Sequence, residues 1–87
     1  MNKQEIEKLL LQLIDDRLLR FGIEPGEVKQ DFDLVRSGLL DSMTFVDLIG
    51  AMEEILKVEI DFEKIMEEEG LTTVSGIIDL FMQASNE

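Results

Sequence analysis

Cysteine and histidine are both absent from this chain. Without cysteine, neither a disulfide framework nor a thiolate metal site can reinforce the fold, and the composition fits a reducing, cytoplasmic setting. Without histidine, the commonest general base is missing, and with it the usual activator of a serine nucleophile. Any chemistry must run on carboxylates, lysines or a group added after synthesis, which disfavours an enzyme. Basic residues are scarce too: eight Lys and Arg stand against twenty Asp and Glu, a formal charge of -12. That balance repels phosphate backbones and anionic lipid, so neither nucleic acid nor membrane is an expected partner. Long apolar runs are missing as well. The opening MNKQEIEKLLLQLIDD interrupts its apolar letters with Glu5, Lys8, Gln12 and Asp15, and reads as neither a signal core nor a membrane span. Asp31, Asp33 and Asp41 are near in sequence, but a calcium loop begun at Asp31 would need its glycine at Arg36 and its closing acid at Ser42. No metal site is expected.

What is present is a 45% hydrophobic composition over 87 residues, enough for one small core and a single domain spanning 1–87. Ile6, Leu9, Leu10, Leu13 and Ile14 follow the helical period and predict an amphipathic helix from about Lys3 to Arg20. Gly22 offers a left-handed cap beyond it, and the lone proline, Pro25, forbids continuation. Residues 22–40 then read as a long loop that packs down on its own hydrophobes, Ile23, Val28, Phe32, Leu34 and Val35. A second helix is expected from Ser42 to Leu56 or Lys57 with Asp41 as its N-cap, and a short third one from Phe62 to Glu68, capped by Asp61. Thr72 or Thr73 caps the last helix, whose Val74, Ile77, Ile78, Phe81 and Met82 form one buried stripe. The fold class is all-α: a small four-helix bundle of three longer helices and one short one.

Stepping about 100° per residue from Ser42 gathers Phe45, Leu48, Ile49, Met52, Ile55 and Leu56 on one side, the expected core face. The other side carries Met43, Val46, Asp47, Gly50 and Glu54, with Ser42 and Glu53 on its flank. Apolar side chains among carboxylates beside a glycine fit a surface for a basic protein partner. Ser42 itself has no hydrolase context, because GLLDSM lacks the G-x-S-x-G elbow and there is no histidine to activate it. Asp41 suits the cap better, which leaves the Ser42 hydroxyl in the first helical turn. There the helix dipole and free N–H groups favour a negative charge such as a phosphate.

Gly38-Leu39-Leu40-Asp41-Ser42-Met43 resembles the attachment motif of acyl carrier proteins, Asp-Ser followed by an apolar residue. The order of elements, the stretch Leu56-Lys57-Val58-Glu59-Ile60-Asp61 and the closing Leu71-Thr72-Thr73-Val74 extend the resemblance over nearly the whole chain. It implies that Ser42 accepts 4′-phosphopantetheine from coenzyme A through a separate magnesium-dependent phosphopantetheinyl transferase, Asp41 belonging to the recognition motif. The arm then holds acyl or aminoacyl groups as thioesters. Met43, Val46, Asp47, Glu53 and Glu54 would form the face read by basic patches on the transferase and on loading and processing enzymes, with a monomeric carrier as the expected state. Phe45, Leu48, Met52, Ile60 and Ile77 would line any shelter for the cargo, or simply fill the core.

The chain departs from fatty-acid-synthesis carriers in having Thr44 where an acidic residue is common and Phe45 where a smaller one is usual. Gly-Leu-Leu-Asp-Ser also looks like the motif of D-alanyl carriers and of stand-alone carriers in specialised pathways. From a different class, an unmodified acidic helical adaptor would use the same face to bind a basic partner. In either case crowded carboxylates repel one another, so added salt should raise the melting temperature; a thermal scan showing a fall instead would mean that specific ion pairs outweigh the repulsion.

Overall fold

Asn2 opens the first helix by accepting the Glu5 backbone N–H on its side-chain oxygen at 2.9 Å, one of the four donors that a helix start leaves unpaired. The computed structural model describes residues 2–61, 63 and 71–85. Its helices are α1, Lys3–Leu13; α2, Asp15–Arg20; α3, Ser42–Leu56; and α4, Val74–Ser85, with a single 3-10 turn at Pro25–Glu27. No strand occurs among the described residues, only an isolated antiparallel bridge between Asp33 and Thr73. The all-α expectation is met. The expected helix from Phe62 to Glu68 lies, apart from Glu63, outside the described residues.

The expected first helix is interrupted. Ile14 leaves helical geometry (φ -102, ψ 7) and divides the segment into α1 and α2. The fully buried residues are Ile6, Leu10, Ile14 and Leu18, each four after the last, so an unbroken helix would carry that stripe around the axis by about 40° per step. The break at Ile14 resets the face, and the paired acids Asp15 and Asp16 favour a fresh helix start. Leu13, counted in the stripe from the sequence, is left 38% exposed. At the far end Gly22 takes φ 69, the Ile23 N–H bonds Leu18 O at 2.9 Å and the Gly22 N–H bonds Leu19 O at 3.2 Å, a Schellman ending that only a residue tolerant of positive φ closes without strain.

α1 packs against both α3 and α4 around a core of Ile6, Leu10, Phe45, Ile49, Met52, Ile77 and Phe81. The long loop completes that core: Leu34, Leu39 and Leu40 are buried, and Ile23, Val28, Phe32 and Val35 are packed against it. Its backbone is tied to the start of α4. Leu34 N–H bonds Thr72 O at 3.0 Å, Val74 N–H bonds Phe32 O at 3.0 Å, and Ser75 N–H bonds Gln30 O at 2.9 Å, so the loop satisfies donors that the helix start would otherwise leave open. Thr73, one of the two cap candidates, accepts Gly76 N–H on its hydroxyl at 3.0 Å.

α3 also ends in the left-handed region, but on Lys57 (φ 57, ψ 47) in place of a glycine. Val58 N–H reaches back to Glu53 O at 3.2 Å, and the Glu53 carboxylate accepts Ile60 N–H at 2.9 Å, so the exiting chain is folded against the helix end. A side chain at positive φ costs about 1 kcal/mol or more, which glycine avoids. Lys57→Gly should therefore raise unfolding free energy by about 1 kcal/mol in denaturant titrations at salt that screens the lost charge; an unchanged or lower midpoint would contradict the strain.

Candidate functional site

The start of α3 is built from a reciprocal cap. Asp41, extended at φ -87 and ψ 179, accepts the Thr44 N–H on Oδ1 at 2.8 Å, while Thr44 Oγ1 accepts the Asp41 N–H at 2.9 Å. The Thr44 hydroxyl hydrogen has two acceptors in reach, Asp41 Oδ1 at 2.9 Å and Asp41 O at 3.1 Å. These hydrogen bonds from the Thr44 backbone and side chain, with the Arg17 charge adding to them, hold the Asp41 carboxyl below its ordinary pKa and ionised. The cap expected at Asp41 is present. Thr44, notable from sequence only as a missing charge, is the other half of it.

Ser42 follows as the first helical residue and is exposed. The remaining hydroxyls of the described residues are engaged. Ser37 donates to Leu34 O at 3.4 Å and accepts Leu39 N–H at 3.3 Å; Thr72 donates to Asp33 at 2.8 Å; Thr73 and Ser75 pair at 3.4 Å; Ser85 donates to Met82 O at 3.0 Å. Ser42 alone among them makes no hydrogen bond. The first turn of α3 also carries no acidic residue, so its N–H groups and dipole face no negative charge beyond the capping carboxylate.

Along the outer face of α3, Met43 is 76% and Val46 47% exposed, Asp47, Gly50 and Glu54 are exposed, and a methyl group at Gly50 would meet nothing within 4 Å. Glu53 sits at the edge of this face, half-buried, with one oxygen already committed to Ile60 N–H. Phe45, Leu48, Ile49 and Met52 are buried as expected, and Leu56 is half-buried. Ile55 is a correction: assigned to the core face, it is 54% exposed. It lies about 70° from the centre of the apolar arc, at the last turn, where the chain has begun to turn away. Of the cargo-lining candidates, Phe45, Leu48, Met52 and Ile77 are buried and Ile60 is half-buried.

A family model described as the phosphopantetheine attachment site matches residues 10–81. The chain belongs to the phosphopantetheine attachment-site family. No curated protein and no solved structure matches it. Members of this family carry 4′-phosphopantetheine covalently, work with phosphopantetheinyl transferases and processing enzymes, and are not themselves catalytic. The residues at the start of α3 fit that group: an exposed, unengaged hydroxyl on a helix end whose dipole favours the negative phosphodiester.

In the loop that leads to α3 stands Asp33, whose importance the sequence did not show. Its Oδ1 accepts Arg36 N–H at 2.9 Å, Thr72 Oγ1–H at 2.8 Å and Val35 N–H at 3.0 Å, and Arg36 Nε lies 3.9 Å from Oδ2. Partial burial alone would raise its pKa, but these hydrogen bonds and the Arg36 charge together outweigh it and keep the carboxyl below its ordinary value. A depressed folded-state pKa contributes stability above the unfolded value, and that contribution disappears as pH falls through the folded pKa. Wild type should thus exceed Asp33→Asn in urea midpoint near neutrality, with the gap closing below the ordinary value of 3.8. A gap independent of pH would assign the loss to geometry instead of charge.

Proposed function

We propose that the protein is a discrete acyl or aminoacyl carrier whose Ser42 oxygen attacks the pantetheine-side phosphorus of coenzyme A, forming the phosphodiester to 4′-phosphopantetheine. As it forms, the pyrophosphate bond breaks, adenosine 3′,5′-bisphosphate leaves and the hydroxyl proton passes to a base of the transferase. The observation that carries the reading is the state of the hydroxyls: Ser42 alone among the described ones makes no hydrogen bond, and it stands on a helix end that favours an anion. The arm supplies the thiol that a cysteine-free chain lacks, holding its cargo as a thioester. Asp41 serves the site by capping α3, so the serine is not consumed in starting its own helix.

Met43, Val46, Asp47 and Glu54, with Glu53 at their edge, form the docking face for the transferase and for loading and processing enzymes. The charge of -12 steers basic patches toward it, and the exposed methionine and valine provide the apolar contact that holds them. Thr44 and Phe45 in place of the residues usual in fatty-acid synthesis favour a specialised pathway, in which the carrier acts as a cytoplasmic monomer.

Incubating the apo protein with coenzyme A, magnesium and a broad-specificity phosphopantetheinyl transferase should add one phosphopantetheine by intact mass, and Ser42→Ala should add none. No mass gain under several transferases, or a label on Ser37, would overturn the assignment.

A further inference from the structure

The start of α3 is fixed from the far end of the sequence. Thr72 sits just before α4, yet its hydroxyl is not needed for that helix, because Thr73 Oγ1 already takes the Gly76 N–H. Thr72 turns to the loop: Oγ1 donates to Asp33 Oδ1 at 2.8 Å, and its carbonyl accepts Leu34 N–H at 3.0 Å. Leu34, fully buried, in turn accepts Leu40 N–H at 2.9 Å, closing the loop across Gly38, which makes the turn at φ 85. Leu40 is also buried, and the next residue is the Asp41 cap. Two short hydrogen-bonded steps through buried leucines therefore join Thr72 to the residue that aims Ser42, with little slack for either end to shift alone.

We propose that Thr72 is a positioning residue for modification of Ser42, acting through Asp33, Leu34 and Leu40. This rests on the carrier reading of Ser42. A transferase docked on the outer face of α3 meets the serine at a height and rotation set by how the loop delivers Asp41. Releasing the Thr72–Asp33 contact leaves the docking face whole but lets the residues ahead of the cap drift. The step that suffers is the chemical one, where a small misplacement of the reacting oxygen lowers the rate steeply.

The test compares wild type, Thr72→Val and Thr72→Ser as apo proteins, by hydrogen exchange of the Leu40 amide and by steady-state phosphopantetheinylation. Thr72→Val should speed Leu40 exchange and lower kcat about tenfold with KM for the carrier unchanged, and Thr72→Ser should restore both. Wild-type kcat in a folded Thr72→Val, or an equal loss in Thr72→Ser, would overturn the proposal. If Thr72→Val loses its helical signal, Asp33→Asn, which keeps a weaker acceptor, must give a smaller fall in kcat of the same kind, and no fall overturns it. A wild-type chain that gains no mass refutes the carrier reading instead, while Leu40 exchange still reads the coupling.

Discussion

The reciprocal hydrogen bonds between Asp41 and Thr44 are the constraint on which the site depends. A helix begins with N–H groups that its own ladder does not use, and the residue nearest to them is ordinarily consumed in satisfying them. Here the residue before the serine and the residue two after it share that task between themselves. Ser42 is thereby left with an idle hydroxyl in the one turn where backbone and dipole both welcome a negative group. The chemistry proposed for this chain requires a serine that does nothing structural, and the cap makes that possible.

The cap must itself be held, and a small core leaves little material for it. The loop from α2 to α3 solves this with little regular secondary structure beyond the 3-10 turn at Pro25–Glu27. It buries Leu34, Leu39 and Leu40, and spends its backbone carbonyls on the open donors of α4. One exchange thus serves two ends: α4 begins without exposed N–H groups, and the segment leading to Asp41 is anchored to the body of the protein. Asp33, kept ionised by three donors, is the side-chain knot in that anchorage.

Features set by near neighbours were legible in the sequence. The Asp41 cap, the Gly22 ending, Thr73 at α4 and the buried face of α3 all follow from residues within a turn or two of one another. The family was legible for the same reason, since six consecutive residues carry the resemblance, and the family match over residues 10–81 bears that membership out. What escaped were consequences of packing between distant segments. The break at Ile14 answers to a core stripe whose four-residue spacing outruns the helix, and Ile55 lies just beyond the arc its neighbours cover. The Asp33–Thr72 contact joins residues 39 apart and has no local signature. Thr44 shows a subtler limit: compared by charge it is a loss, whereas its hydroxyl completes a cap that charge alone does not describe.

The central claim is that the serine beside the cap, and no other hydroxyl, is kept free for the prosthetic arm. Peptide mapping by mass spectrometry of the protein isolated intact from its native cell tests this most directly. The account predicts phosphopantetheine, with or without an acyl or aminoacyl group, on the peptide containing Ser42 and on that residue. Protein that is wholly unmodified in its native cell, or that carries the arm at another hydroxyl, would contradict it.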